Sequence, residues 1–227
     1  MQLYCIPVHN NNHDFETCLI VNKDIPISID TRHAAVARAA IEAGADIVND
    51  ISGGTHDENM TSVVASYGNV PFIMMHMRGT PQTMQQMTNY DDDDNVVSHV
   101  ANYLAQLSQT VSSHNVPRWL HIVDPGIGFA KDHDQNLQLL RHGCHAIHES
   151  THGCPILLGP SRKRFIGTIL STDHPEDRDY GTIAACLLAS STTASKTFDV
   201  PCTILRVHNV KAMKQAAMVM DAILQQP

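Results

Sequence analysis

Short apolar runs alternate with helix-like stretches along most of this chain, and this alternation limits the fold more than any other feature. The strand-like runs are residues 26–30, 45–49, 70–76, 119–124, 155–158 and 202–207. The helix-like stretches are residues 33–44, 58–67, 96–114, 134–150, 178–190 and 210–224. Nearly continuous apolar strands that alternate with helices are typical of a parallel sheet covered by helices on its faces. The sequence therefore predicts an α/β protein.

Polar side chains follow each predicted strand. The six strand ends are, in order, Asp30-Thr31, Asn49-Asp50, His76, Asp124-Pro125-Gly126, Ser161-Arg162-Lys163 and Arg206-Val207-His208. Because parallel strands point in one direction, we expect these ends to share one face. In a (β/α)8 barrel that face carries the chemistry. The pattern therefore predicts a binding site at the carboxyl ends of the strands.

Composition narrows the classes of protein and of partner. A chain of 227 residues with 43% hydrophobic residues can bury the core of one barrel domain. The net charge of −8 disfavours a nucleic-acid partner, and no apolar run approaches the roughly 20 residues that span a membrane. The six cysteines form no CxxC pair, which indicates a reducing compartment. We therefore expect a cytoplasmic protein with a small-molecule substrate.

The residues at the strand ends divide by chemistry into two sets. The acceptors are Asp30, Asn49 and Asp124, and the cationic or potentially cationic donors are Lys163, Arg206 and His208. A carboxylate accepts two parallel hydrogen bonds from a planar N–H/NH2 edge, as on an aminopyrimidinone ring. Arginine and lysine suit a phosphate or diphosphate group. The two sets predict a heteroaromatic ligand with an anionic tail.

Six segments, in this order along the chain, resemble the dihydropteroate synthases, folate-pathway enzymes built on a (β/α)8 barrel. The segments are ISIDT, IVNDISGG, MMHMRGTPQTMQ, DPGIGFAKDHDQNLQLL, GPSRKRFIG and LRVHNV. The resemblance covers about residues 25 to 224. It implies a TIM-type barrel and a reaction between 6-hydroxymethyl-7,8-dihydropterin diphosphate and p-aminobenzoate. The products would be 7,8-dihydropteroate and pyrophosphate.

The resemblance also implies roles for individual positions. The pterin-binding residues would be Asp30, Asn49, Ile51, Met75, Asp124 and Lys163. Arg206 and His208 would bind the diphosphate, and these two residues with Lys163 would be the catalytic set. Phe129, Ser161, Lys163 and the backbone N–H near Arg164 would contact p-aminobenzoate. The resemblance further implies Mg²⁺ as the cofactor and a homodimer as the assembly, and no protein nucleophile is needed.

Two loops of the family pattern do not appear in this sequence. One is NVTPDSF-like and carries the asparagine that holds Mg²⁺, and the other is GGESTRPG-like. We therefore predict a barrel incomplete at its N-terminus, with about six of the eight βα units recognisable. Residues 1–24 would form an atypical segment before a barrel domain of residues 25–227. Within that segment 2–8 and 17–22 would pair as a hairpin, since too few residues separate them for a parallel crossover.

Several alternatives stay open at this point. The chain would be a truncated or mis-spliced product, a part completed by a partner, or a pterin-binding remnant without turnover. Another pterin-binding barrel, such as a methyltetrahydrofolate methyltransferase, is the alternative among enzymes. A mitochondrial location is the alternative to the cytoplasm if an N-terminal region is missing. Lys131, after the glycine-rich turn, would be a solvent-exposed loop cation or a phosphate contact.

Overall fold

The structure, a computed structural model, describes residues 4–7, 25–90, 95–190 and 204–225. Within these ranges seven strands form two sheets. The strands are β1 (Tyr4–Pro7), β2 (Ile27–Asp30), β3 (Ile47–Asp50), β4 (Phe72–Met75), β5 (His121–Asp124), β6 (Leu157–Leu158) and β7 (Ile204–Leu205). One sheet has the order β1-β2-β3-β4-β5, and β6 pairs with β7 in the other. Every pairing with a recorded register is parallel, which confirms the predicted α/β class.

Eight α-helices follow the strands within the described residues. They are α1 (Ala34–Glu42), α2 (Met60–Tyr67), α3 (Val96–Ser113), α4 (His133–Gln138), α5 (Cys144–Ser150), α6 (Arg164–Leu170), α7 (Asp179–Ser190) and α8 (Val210–Leu224). The helix predicted over 134–150 is interrupted, because a π-helical turn at Leu139–Gly143 separates α4 from α5. Helix α6 was not among the helices predicted from the sequence.

Helix starts show why several boundaries lie where they do. The side chain of Asn209 accepts a hydrogen bond from the Ala212 N–H at 3.1 Å and so caps α8. Asp132 and Gln135 form a reciprocal capping box at α4, an arrangement that satisfies two otherwise unpaired N–H groups. At α1 the cap is distant in sequence, since Asp57 accepts from the Ala34 N–H at 2.8 Å. Local side chains therefore determine two of these three starts.

The chain divides into two compact units. One comprises residues 1–76 and 103–123, and the other comprises residues 77–102 and 124–227. Fully buried side chains of the first unit include Ile29, Phe72 and Leu104. In the second unit Leu139 and Leu157 are equally buried. Each unit therefore has an apolar core, while the predicted boundary at residue 24 stays a prediction.

Near the amino terminus, β1 pairs in parallel with β2, so that Tyr4 lies opposite Ile27 and Pro7 opposite Asp30. The predicted hairpin required residues 17–22 as the second strand, and these lie outside the described residues. None of the helices in the described ranges has the length and apolar character needed to cross a membrane.

A buried histidine should make stability depend on pH. His121 is fully buried; its Nε2 lies 3.2 Å from the Val116 carbonyl and its Nδ1 lies 2.8 Å from Ser108 Oγ. A carbonyl only accepts, so Nε2 carries the hydrogen and Nδ1 accepts from the serine hydroxyl. Burial lowers the pKa of His121. The neutral ring therefore belongs to the folded state.

We predict that the free energy of unfolding falls as the pH drops below about 6.5, where histidine in the unfolded chain takes up a proton that buried His121 resists. The loss from this one group is at most about 1.4 kcal/mol per pH unit. The free energy of unfolding of the wild type and of His121→Gln is measured in urea between pH 7.5 and 5.5. The difference between the two proteins separates the effect of His121 from that of the other histidines. Equal decreases in the free energy of unfolding of the two proteins over this pH range would contradict the prediction.

Candidate active site

In the first unit, the predicted site residues lie in rows across neighbouring strands. Asp30 and Asn49 are opposite each other in the β2–β3 register. Asn49 is also opposite Ile73 of β4. Side chains two residues apart on a strand share a face, so Met75 lies on the same face as Asn49. Asn49 and Met75 are buried, whereas Asp30 is half-buried. The structure therefore brings an acidic, an amide and a thioether side chain to one face.

The turn after β3 is held by Asp50, a residue to which the sequence analysis gave no role. Its carboxylate accepts hydrogen bonds from the Ser52 N–H at 2.7 Å, the Ser52 hydroxyl at 2.6 Å and the Gly54 N–H at 2.9 Å. Burial raises the pKa of Asp50, and these hydrogen bonds act in the opposite direction. Ile51 is half-buried between the strand and this turn. Asp50 therefore fixes the backbone that carries Ile51.

In the second unit, Asp124 begins a glycine-rich turn. Asp124 is buried, and its Oδ1 accepts a hydrogen bond from the Gly126 N–H at 2.7 Å. Gly126 and Gly128 have φ of +67° and +79°, a left-handed backbone that glycine adopts at little cost. The Gly128 N–H donates to Asn136 Oδ1 at 2.5 Å, and the Phe129 N–H donates to the Gly126 carbonyl at 2.9 Å. Local hydrogen bonds therefore determine the shape of this turn.

Lys163 packs directly on the glycine-rich turn. Its ammonium donates a hydrogen bond to the Ile127 carbonyl and lies 4.5 Å from the centroid of the Phe129 ring. Removal of the ammonium from water lowers the pKa of Lys163 to about 8, with Asp124 acting to raise it and Arg206 to lower it. Lys163 is therefore within electrostatic reach of both an acidic and a basic predicted site residue.

Lys131 is buried, which excludes the first of its two predicted alternatives, a solvent-exposed loop cation. It is 4% exposed, and its ammonium donates to the Phe129 carbonyl at 2.9 Å. Burial lowers the pKa of Lys131 to about 7, Asp124 acts to raise it, and Lys163 lowers it further. No local pattern distinguishes this lysine from a surface lysine, because its burial depends on residues that other elements supply.

Ser161 and His208 connect the loops after β6 and β7. The Ser161 hydroxyl oxygen accepts from the His208 N–H at 3.1 Å and lies 2.8 Å from His208 Nδ1. A hydroxyl oxygen can accept a second hydrogen bond as well as donate one, so the Nδ1 contact is compatible with either tautomer of the neutral ring. Partial burial, followed by the charge of Arg162, lowers the pKa of His208. His208 is therefore a neutral donor at neutral pH.

Arg206 and Arg164 occupy the two remaining predicted positions. The Arg206 N–H donates to the Leu158 carbonyl at 2.8 Å and continues the β6–β7 pairing. A Cβ on Gly159 would lie 3.2 Å from Arg206 Nε, so glycine there admits the guanidinium. Arg164 is the first residue of α6, where backbone N–H groups lack partners within the helix. Its N–H is thus placed to donate, while its side chain is exposed.

The charge balance of the second unit's group favours an anion. Asp124 is its carboxylate, and Lys131, Lys163 and Arg206 are its basic side chains. Cations placed around a partly desolvated volume attract phosphate groups. For a metal the outcome differs: among the residues that the structure describes, no three His, Cys, Asp or Glu side chains form a cluster suited to binding one. Mg²⁺ commonly binds through one or two protein oxygens together with substrate phosphates, so it does not require a cluster of three protein ligands.

Comparison with known proteins connects these residues to one family. A family model described as pterin binding enzyme matches residues 17–208. The dihydropteroate synthase of Synechocystis sp. is 44% identical over 201 residues, which are 88% of this chain and 64% of that protein. The chain thus spans less than two thirds of this relative's length.

Solved structures show the same likeness. Dihydropteroate synthase from Xanthomonas albilineans, in complex with 7,8-dihydropteroate, is 30% identical with a TM-score of 0.83, over 99% of this chain and 82% of that one. The Thermus thermophilus enzyme in complex with 4-aminobenzoate is 31% identical with a TM-score of 0.82, over 97% and 84%. The predicted α/β barrel fold and the resemblance to dihydropteroate synthases are both confirmed.

Gly128 is the position where the turn most directly controls Lys163. A Cβ there would lie 2.6 Å from Lys163 Cδ, and a non-glycine residue in this backbone region costs about 1–2 kcal/mol. We predict that Gly128→Ala lowers the free energy of unfolding by more than that cost and returns the pKa of Lys163 toward 10.5. Chemical denaturation and ¹⁵N NMR of the lysine ammonium groups measure the two effects.

Gly68→Ala is the matched control, because Gly68 has a similar φ of +70° and open space where an added Cβ would lie. It should lose only the backbone cost and leave Lys163 unchanged. Equal losses in the two variants, with an unaltered Lys163 pKa, would show that Gly128 does not position this lysine.

Proposed function

This chain belongs to the pterin binding enzyme family, and we propose that it acts as a dihydropteroate synthase. In this reaction the amine of p-aminobenzoate attacks the methylene carbon of 6-hydroxymethyl-7,8-dihydropterin diphosphate. The C–O bond breaks, the diphosphate leaves, and the amine loses a proton to give 7,8-dihydropteroate. One observation carries the proposal: Lys163 lies within electrostatic reach of both Asp124 and Arg206. A substrate with a donor-rich ring and an anionic leaving group suits that combination.

The pterin ring is assigned to acceptors and apolar side chains. Asp124, Asn49 and Asp30 would accept hydrogen bonds from its N–H and NH2 groups, because carboxylate and amide oxygens match that planar edge. Ile51 and Met75 would pack along the ring, and the Lys163 ammonium would donate to one of its acceptors. Asn49 and Asp124 are both buried, a setting in which hydrogen bonds to a ligand are strong. The use of both units for one ring rests on the family resemblance.

The diphosphate is assigned to Arg206 and His208. Arg206 offers a permanently charged fork, and neutral His208 would offer its Nε2–H in the tautomer in which Nδ1, 2.8 Å from Ser161 Oγ, accepts from that hydroxyl. Negative charge grows on the bridging oxygen as the C–O bond breaks. Donors that are already oriented favour that charge separation, since they need no reorganisation when the bond breaks. These residues therefore stabilise the leaving group.

The p-aminobenzoate is assigned to the loop between β6 and α6 and to the glycine-rich turn. The Phe129 ring supplies an apolar wall, and the same ring already faces the Lys163 ammonium at 4.5 Å. Ser161 and the Arg164 N–H are the polar groups beside it. Holding the amine close to the methylene carbon turns a reaction between two molecules into one within a single complex. The residues need only orient the two substrates.

Mg²⁺ would supply charge neutralisation for the diphosphate when it is bound, and the described residues contain no cluster of three His, Cys, Asp or Glu side chains around it. No step of the proposal therefore runs through a metal ligand of this chain. As the assembly we propose a homodimer. The apolar side chains exposed on α8, Met218, Val219 and Ile223, support it, and a light-scattering mass of one chain would reject it. The compartment stays a prediction, cytoplasmic or mitochondrial.

Turnover by the purified chain tests the proposed activity. With both substrates and Mg²⁺, the wild type should release pyrophosphate, and Lys163→Ala should lower kcat/KM about 100-fold or more because a charged donor is lost. The wild-type rate should also fall as the pH rises through about 8, where Lys163 loses its proton. Lys163→Arg, which stays charged, should move this decrease to higher pH.

Four results would reject the proposal or change part of it. No release above the Lys163→Ala background would reject turnover by this chain. Pterin affinity without turnover would indicate a non-catalytic pterin-binding protein, since binding and reaction then separate. Methyl transfer that depends on a corrinoid would indicate a methyltetrahydrofolate methyltransferase. An unchanged pH profile in Lys163→Arg would remove Lys163 from the catalytic set.

A further inference from the structure

One carboxylate in the second unit bonds to the loops after both β6 and β7. Asp179, the first residue of α7, accepts from Arg162 Nε on Oδ1 at 2.8 Å and from Arg162 Nη2 on Oδ2 at 3.1 Å. The same Oδ2 accepts from Asn209 Nδ2 at 3.1 Å. Arg162 lies between Ser161 and Lys163, and Asn209 follows His208. Asp179 therefore contacts the immediate neighbours of three proposed site residues.

The Arg162 backbone needs such support. Its φ is +59°, a left-handed conformation that costs a non-glycine residue about 1 kcal/mol or more and persists only where the surroundings impose it. The Arg162 N–H donates to Thr182 Oγ1 at 3.0 Å, and its carbonyl accepts from Arg178 Nη1 at 2.9 Å. With Asp179, three residues at or next to the start of α7 hold this one position.

The side chain of Asn209 also has two partners. Its amide donates to Asp179, and its oxygen accepts from the Ala212 N–H at the start of α8. The two loops are joined a second time by the Ser161–His208 hydrogen bonds. Two independent bridges fix their relative placement more firmly than one, because a single bridge leaves rotation about it free. The Asp179 bridge is the charged one.

The bridge is stronger than an ordinary surface ion pair. The side chains of Arg162 and Asp179 are 22% and 18% exposed, and two parallel N–H···O bonds to a carboxylate are among the strong hydrogen bonds of proteins. The bond from Arg162 holds the pKa of Asp179 below its usual value, so the carboxylate is ionised at neutral pH. By contrast, Glu176 lies 3.7 Å from Arg162 and is 70% exposed.

We propose that Asp179 is a positioning residue for the condensation: it holds the loop that carries Ser161 and Lys163 against the loop that carries Arg206 and His208. This role rests on the proposed function, in which those loops hold p-aminobenzoate and the diphosphate. Asp179 need not touch either substrate. Asp179 would set the distance between the two bound substrates, and the rate of their reaction depends steeply on that distance.

The main test compares Asp179→Asn with Glu176→Gln, a matched loss of one carboxylate beside Arg162. In Asp179→Asn, kcat should fall about tenfold or more, while the affinity for each substrate measured alone changes less than about threefold, because each loop keeps its own contacts. Glu176→Gln should resemble the wild type in all three quantities. A kcat for Asp179→Asn within twofold of the wild type overturns the proposal.

Asn209→Ala covers the case in which Asp179→Asn fails to fold. It removes the bond between Asp179 and the loop after β7, together with the cap of α8, and leaves the Arg162–Asp179 pair in place, so a fall in kcat with retained affinities is expected. In the double variant the falls should not multiply, since both changes break the same bridge. A multiplied effect, or an Asn209→Ala variant with wild-type kcat, overturns the proposal.

An NMR titration separates this inference from the proposed activity, because it needs no turnover. The charged groups around the His208 ring are Arg162, Arg206, Asp179 and Glu176. If the bridge holds the two loops together, Asp179→Asn should lower the pKa of His208, since a nearby negative charge is lost. Glu176→Gln should lower it less. Equal shifts, or none, would overturn the proposal even where the wild type shows no turnover.

Discussion

The candidate site of the second unit depends on the Lys163 ammonium, which is removed from water within electrostatic reach of Asp124 and Arg206 and faces the Phe129 ring. Asp124 favours the charge on Lys163, whereas burial and Arg206 oppose it. The bond to the Ile127 carbonyl and the contact with Phe129 then decide where this charge sits. A lysine in this setting loses its proton more easily than an exposed lysine, and its hydrogen bond fixes the direction in which the ammonium points. Both properties follow from the shape of the turn beneath it.

The shape of this turn is determined by residues that are close together in the sequence. Gly126 and Gly128 supply the left-handed backbone, Asp124 and Asn136 accept the N–H groups that it exposes, and the capping box at Asp132 starts the next helix. Buried Lys131 bonds to the Phe129 carbonyl and completes the support. A substitution in this segment therefore acts on the site even when it touches no ligand.

The sequence predicted those parts of the fold that local chemistry determines. Helix α8 begins and ends at the predicted residues, 210 and 224, since Asn209 caps it. In the part of the chain that the structure describes, β6 and β7 pair at Leu157–Ile204 and Leu158–Leu205, and such pairing depends on the neighbouring strand as well as on β-branched composition. Helix α6 was missed, since its residues were interpreted only as part of the SRKRFIG motif.

The candidate site also contains features that local chemistry determines and features that depend on tertiary contacts. The in-register placement of Asp30 and Asn49 follows from strand periodicity and parallel pairing, so the sequence could predict it. The burial of Lys131 and the bridge from Asp179 to Asn209, thirty positions apart, depend on tertiary contacts that no local pattern reveals. Strand periodicity therefore predicts the groups proposed to touch substrate, whereas the groups that hold them in place depend on tertiary contacts.

The central claim is that Asp124, Lys163 and Arg206 grip one pterin diphosphate. A crystal structure of the chain with 6-hydroxymethyl-7,8-dihydropterin diphosphate tests it most directly. The account predicts the ring edge within hydrogen-bond distance of Asp124 and Lys163, and phosphate oxygens on Arg206 and His208. Electron density for the ligand at other residues, with these side chains in contact only with water, would contradict it.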